Sequence, residues 1–258
     1  MASQSEIISS MKILIKNGYY NPNFLIKSAE LGDTDVVQFL IKTIPHVSSK
    51  DKLTISKNAA KTENLKLLKF LKEKGILQTT SEVFNSGVMS CNLDVIKFLA
   101  SSGCCSDNDT FQIACEYGNF KILKWIYEEG CEIFSGYSAY KGVNAFLGIG
   151  KEQERIAKTD SALRILNWLY NDVGLKKFCF NTNHLCHSNI KIWEWFIERN
   201  CEWGDEAYSV AILNDSIEHL EYLYNQGCPW KTQRFSILEV DEISPEVLTW
   251  LESKDFKI

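Results

Sequence analysis

The sequence predicts an all-α chain built as a solenoid of stacked helix pairs, and three observations carry that prediction. The same helix is written repeatedly: residues 119–131, NFKILKWIYEEGC, match residues 216–228, SIEHLEYLYNQGC, in chemistry position by position. The copies return every 27 or 28 residues over most of the chain. Each is preceded by a shorter segment whose last turn carries small side chains. A helix pair of this size cannot bury its apolar face alone, whereas stacked neighbours make one continuous core.

The outer helices open at Asp33, Asn64, Asn92, Asn119, Asn189, Ser216 and Ser244. All are types whose side-chain oxygen takes an unpaired N–H of a first helical turn. Pro245 follows Ser244, at the position where a helix tolerates proline. Apolar pairs stand three and four residues after each cap, from Val36 and Val37 to Val247 and Leu248, and only the copy with His219 and Leu220 breaks the chemistry. Six residues after each cap comes an aromatic: Phe39, Phe70, Phe98, Trp125, Trp195, Tyr222 and Trp250. Offsets 3, 4 and 7 make one helical face and offset 6 widens it, so each aromatic is expected to pack on the next pair. Eleven residues after the cap, Gly75, Gly103, Gly130 and Gly227 stand where a left-handed residue ends a helix.

The inner helices end in Ser28-Ala29, Ala59-Ala60, Gly87-Val88 and Ala114-Cys115, small enough for close helix approach. At the N-terminus, Met11, Ile13, Leu14 and Gly18 fit a degenerate first copy. The interval of 70 from Asn119 to Asn189 holds two periods and an insertion of about 16 residues. Inside it, Ile165, Leu166, Trp168 and Leu169 supply the missing copy, with Ser161 or Ala162 near its cap. The charged run KEQERIAKTDS, 151–161, reads as a surface insertion or as an extension of the next helix into solvent. The stretch GVNAFLGIG, 142–150, reads as the end of an inner helix and a connection. The expected organisation is one elongated repeat domain over 1–258, with nine outer helices, the first and last acting as caps, and an insertion near 135–160.

Residues 109–131, DTFQIACEYGNFKILKWIYEEGC, resemble an ankyrin repeat. Thr110 stands in the proline slot of the Thr-Pro-Leu-His start, Gln112 in its histidine slot, Ala114-Cys115 in the Ala-Ala slot and Gly118-Asn119 in the Gly-His slot. KSAELGDTDVVQFL, 27–40, is a second good match. Ankyrin repeats run to about 33 residues; here Gly103 to Gly118 is only 15 residues, and the shortening falls in the loop. The chain therefore resembles the shorter type found in amoeboid protists and the large viruses that infect them, with closing runs such as Gly227-Cys228-Pro229-Trp230 and Asn200-Cys201-Glu202-Trp203. The Ala-Cys-x-x-Gly-Asn run favours ankyrin over a HEAT-like array.

The resemblance implies an all-α, ankyrin-like helix-pair solenoid with reduced or absent β-hairpin fingers. It also implies a protein–protein interaction scaffold or adaptor in the cytoplasm, of the host if viral, binding another protein on the concave inner-helix and loop surface without catalysis. Ser90, Tyr117, His187 and Asn214 share the slot just before the turn, and Gln112 with Asp107, Asn108 and Asp109 lies nearby. These are the expected partner-binding residues. A structural or self-associating repeat module is the alternative reading, and a metal-dependent enzyme the remote one.

Composition narrows the partners. Net charge is −5 and the pI about 5.5. That offers no phosphate-binding surface, so nucleic acid is not expected as a partner. No apolar run approaches the ~18 residues of a membrane span, and the N-terminal stretch lacks the pattern of a signal peptide. A monomer that stays in the compartment where it is made is expected. Nine cysteines without an export signal read as reduced, mostly buried thiols. Cys104, Cys131, Cys201 and Cys228 share one slot, and repeats stacked ~10 Å apart keep such thiols from sharing a metal or a disulfide. Cys179, His184, Cys186 and His187, in CFNTNHLCH, are zinc-type donors within nine residues. They lack a Cys-x-x-Cys turn and a second distant pair, so no metal or cofactor is expected. No nucleophile elbow, P-loop, zincin or dinucleotide fingerprint occurs, so no catalytic residues are assigned. Lys66, Lys69, Lys97, Lys121 and Lys124 lie along the outer helices among interleaved acids and read as a solvated face.

Overall fold

A computed structural model describes residues 4–19, 21, 23–43, 46–131, 136–148, 152–176, 189–200, 207–230 and 243–256. Among them the protein is all-helical, with fifteen helices and no strand. The chain divides into two compact units, Met1–Glu132 and Ile133–Ile258.

The first unit holds α1 (Gln4–Lys16), α2 (Asn23–Glu30), α3 (Thr34–Thr43), α4 (Ser49–Lys61), α5 (Leu65–Glu73), α6 (Ser81–Met89), α7 (Leu93–Ser101), α8 (Thr110–Glu116) and α9 (Phe120–Glu128). The inner helices α2, α4, α6 and α8 stack in chain order, and the outer helices α3, α5 and α7 do the same. Each inner helix packs on the outer helix that follows it. The second unit holds α10 (Gly136–Gly148), α11 (Glu152–Asn171), α12 (Ile190–Ile197), α13 (Ala207–Leu213), α14 (Ile217–Asn225) and α15 (Pro245–Ser253). Here α10 packs on α11, α11 on α12, α13 on α14, and α14 on both α12 and α15. The expected outer helices are α1, α3, α5, α7, α9, α11, α12, α14 and α15.

The turn inside each pair has a common backbone. One residue before the outer cap, Gly32, Glu63, Cys91, Gly118 and Asp215 all have φ between 52° and 71°. Glycine adopts this left-handed conformation freely, whereas for Glu63 and Cys91 it carries a steric cost. All seven expected caps form, each side chain accepting a first-turn N–H. The offset-11 ends are left-handed as well: Gly75, Gly103, Gly130, Asn200, Gly227 and Asp255. The core lies where offsets 3, 4 and 7 place it, with Leu67, Leu68, Leu71, Val95, Ile96 and Leu99 fully buried. Ser28, Ala29, Ala59, Ala60, Ala114 and Cys115 of the small-residue slot are buried too.

Four expectations need correcting. Of the α1 side chains that are described, Met11 and Ile15 are buried, while Ile13 and Leu14 are 59% and 41% exposed. Met11 and Ile15 stand four apart on one face of the helix, from which Ile13 is turned away. The offset-6 aromatics of the first unit, Phe39, Phe70, Phe98 and Trp125, are only half-buried, because that offset lies at the edge of the apolar stripe. Contacts to the preceding block are seen in both units: Lys72 of α5 sits 5.4 Å above Phe98, and in the second unit Tyr170 of α11 meets the buried Trp195 edge-on at 5.8 Å. No helix begins at Ser161 or Ala162; both lie inside α11, which runs unbroken from Glu152. The run of good helix formers after Lys151 contains no breaker. The extension is solvent-facing at Glu154, Ala157, Asp160 and Ser161, but one side packs inward: Thr159 is buried and Lys158 donates to the Phe146 carbonyl of α10 at 3.3 Å. Finally, Cys91 and Cys105 are exposed rather than buried, while Cys104, Cys115 and Cys228 are in the core.

The second unit closes on an aromatic cluster, in which Trp230 and Phe256 stack at 4.1 Å and Tyr208 meets both edge-on. Among the described residues no helix is long and apolar enough to cross a membrane.

Candidate functional site

The candidate surface in the first unit is built around α8, a short helix flanked by the loop 102–109 and the turn at Gly118. The loop is strand-free and fixed from below. Asn85 on α6 donates from Nδ2 to Asp107 Oδ1 at 2.9 Å and accepts at Oδ1 from the Thr110 hydroxyl at 2.6 Å. The Asp107 N–H donates to Thr110 Oγ1 at 2.9 Å, and the Asp109 N–H to Asp107 Oδ1 at 3.1 Å. Thr110 is fully buried and Asn85 nearly so, which makes this a satisfied polar node between neighbouring pairs. Burial raises the Asp107 pKa, but the donors Asn85, Ser81, the Asp109 N–H and Thr110 together outweigh it and hold the carboxyl below its ordinary value.

The slot that Asn85 holds on α6 is held by Lys57 on α4, and it also reaches forward, to Glu82 Oε2 at 2.6 Å. Gln112 holds it on α8 and bonds Glu116 Oε1 on its own helix at 2.8 Å. The inner layer is tied again where the Gln78 N–H donates to Ser56 Oγ at 3.0 Å and Lys52 Nζ to the Gly75 carbonyl at 3.2 Å.

The expected binding residues separate on this frame. Asn108 and Asp109 are exposed at the start of α8, Gln112 is half-buried along it, and Tyr117 is 43% exposed at its C-terminal cap. Asp107 belongs to the node that shapes the loop. Ser90 is not on the open surface: it is buried, donates to the Gly87 carbonyl at 2.6 Å and accepts from the Asn92 N–H at 3.2 Å. A serine there closes its own turn, which is a capping role. In the second unit, Asn214 is exposed beside Leu213 and donates to the Val210 carbonyl at 2.8 Å. His187 lies outside the described residues, as do Cys179, His184 and Cys186. Among the described residues no group of three or more His, Cys, Asp and Glu side chains is placed to hold a metal ion. Burial, first, then the nearby Cys105, pushes the Cys104 thiol up to about 11, against a smaller opposing effect of Lys72.

Sequence reasoning missed Asn85 and the second function of the cap asparagines. Asn64 Nδ2 donates to the Gly32 carbonyl at 2.7 Å and to Thr34 Oγ1 at 3.0 Å, and Asn119 Nδ2 donates to the Cys91 carbonyl at 3.3 Å. Ser244 likewise donates to Asp215 Oδ1. Each reaches the left-handed residue of the preceding turn while capping its own helix. The signal was present in the preference for Asn, which carries both an acceptor and a donor.

Scanned against models of known families and against curated sequences, the chain matches none.

Proposed function

We propose that the chain is an ankyrin-like helix-pair solenoid with reduced fingers, acting as an interaction scaffold that binds another protein without catalysing a reaction. The observation that carries the reading is α8 with its two ends. A rigid polar node holds the loop below, while Asn108, Asp109 and Tyr117 are presented outward. Exposed side chains on a fixed backbone suit recognition, because little ordering entropy is lost on binding. Tyrosine adds large contact area with few rotatable bonds. The recurring left-handed turn before an Asn cap, and the strand-free loop, support the ankyrin-like assignment.

The test is quantitative capture of partner proteins from the native host, comparing wild type with an Asn108→Ala, Asp109→Ala, Tyr117→Ala variant of equal helicity. A partner captured by the wild type and lost in the variant is the expected result. Equal capture by both contradicts this placement of the surface.

A further inference from the structure

On the outer side of the first unit, α3 and α5 leave between them an open groove of about 440 Å³, lined by Gln38, Leu65, Lys66, Lys69, Phe70 and Glu73. It lies between neighbouring outer helices whose caps are 31 residues apart, where the next two intervals are 28 and 27. Its floor is apolar, with Leu65 and Phe70 half-buried. Its rim carries two cations and one anion: Lys66 and Lys69 are exposed and make no ion pair among the described residues, Glu73 stands at the far end, and Lys66 also borders an adjacent depression with Asp33 and Asp35. Lys97 on α7 and Lys124 on α9 hold the slot of Lys69, so the positive charge continues as a row, although Lys124 is 3.7 Å from Glu128. This charge is not the by-product of a basic unit, since residues 1–132 hold 15 of the 28 Lys and Arg and 15 of the 33 Asp and Glu. In α12 and α14 the same slot holds Glu194 and Glu221.

We propose that this groove docks an acidic, leucine-bearing peptide segment of a partner protein. Carboxylates of the segment pair with Lys66 and Lys69 near the start of α5, and an apolar side chain covers Leu65 and Phe70. Charge complementarity supplies orientation and encounter rate, while the apolar floor supplies most of the affinity. A groove open to solvent suits a segment laid across it better than an enclosed small molecule. The site is on the outer helices and stands apart from the α8 surface.

The probe is a fluorescein-labelled peptide of about twelve residues, long enough to span α5 even if it turns helical on binding, at ~1.5 Å per residue. It is made of glutamates with leucines at helical spacing, and a companion of the same length has every leucine replaced by glutamate. Fluorescence anisotropy is read with the full chain. The leucine-bearing peptide is expected to bind saturably, to weaken in about 300 mM salt, and to lose about tenfold or more with Lys66→Glu/Lys69→Glu. Lys66→Gln/Lys69→Gln should give a smaller loss. Lys50→Glu/Lys61→Glu, an equal charge change at exposed sites away from the groove, and Tyr117→Ala should leave binding unchanged. Absence of saturable binding, equal affinity for the all-glutamate companion, or equal loss in Lys50→Glu/Lys61→Glu overturns the proposal. So does a wild-type dimer in sedimentation that Lys66→Glu/Lys69→Glu abolishes, since the occupant is then a second copy.

Discussion

Asn64 shows how one side chain serves two repeats. Its Oδ1 accepts from the Leu67 N–H, and its Nδ2 reaches the carbonyl of Gly32 in the preceding turn. Serine at this position keeps the first role and loses the second, because Gly32 lacks the side-chain acceptor that Asp215 offers Ser244. Asn64→Ser should therefore cost about 0.5–1.5 kcal/mol, the net value of the lost hydrogen bonds. Asn64→Ala should cost about 1 kcal/mol more, because the cap goes as well. Urea unfolding of the two variants separates the roles, and equal loss in both contradicts the inter-repeat bond. Asp107 gives a prediction with a sign. Its carboxyl is held below its ordinary value of 3.8, so its contribution to stability is fully present above that pH and fades as pH falls through the lower folded value. The melting temperature of Asp107→Asn should fall below wild type at neutral pH, and the gap should narrow on acidification towards about pH 3. A gap that stays constant across that range contradicts the assignment.

At the scale of elements, the closeness of inner to outer helix is set by the small slot. A Cβ added to Gly87 would lie 2.4 Å from Leu99 Cδ1, so the fully buried Leu99 side chain would have to leave its place in the core. Gly87→Ala should therefore destabilise by about 1–3 kcal/mol despite alanine's better helix propensity. Thermal unfolding measures it, and a stabilised variant contradicts the packing described for α6 on α7. This slot was legible in the sequence, as were the caps, the buried face and the helix ends, because each is a local rule repeated at fixed spacing. The breadth of the apolar stripe was not. Whether offset 6 is core or edge depends on how neighbouring helices cover it, and Phe98 and Trp195 differ in this although their slots are equivalent. The start of α11 was hidden for a different reason. Ser161 has the chemistry of a cap, but a cap forms only where the chain turns, and the preceding residues favour helix. Of the candidate site, Tyr117, Asn108 and Asp109 were readable as repeat positions, whereas burial of Ser90 follows from its own hydroxyl bonding back to Gly87.

Over the whole molecule, the arithmetic of charge is uneven. Residues 1–132 balance their acids and bases, so the net charge of −5 belongs to the remainder. The two proposed surfaces, at α8 and in the groove of α5, both lie in the charge-balanced first unit, so recognition there would rest on local pattern rather than on net charge. Binding at α8 is the central claim. Its most direct test replaces Tyr117 with a photoreactive phenylalanine analogue and crosslinks the full chain in an extract of its native host. One discrete adduct is predicted. Excess wild-type chain should compete it away, and an Asn108→Ala/Asp109→Ala chain should compete poorly. A folded protein that gives no adduct from position 117, or one that the wild type and the double variant compete equally, contradicts the account.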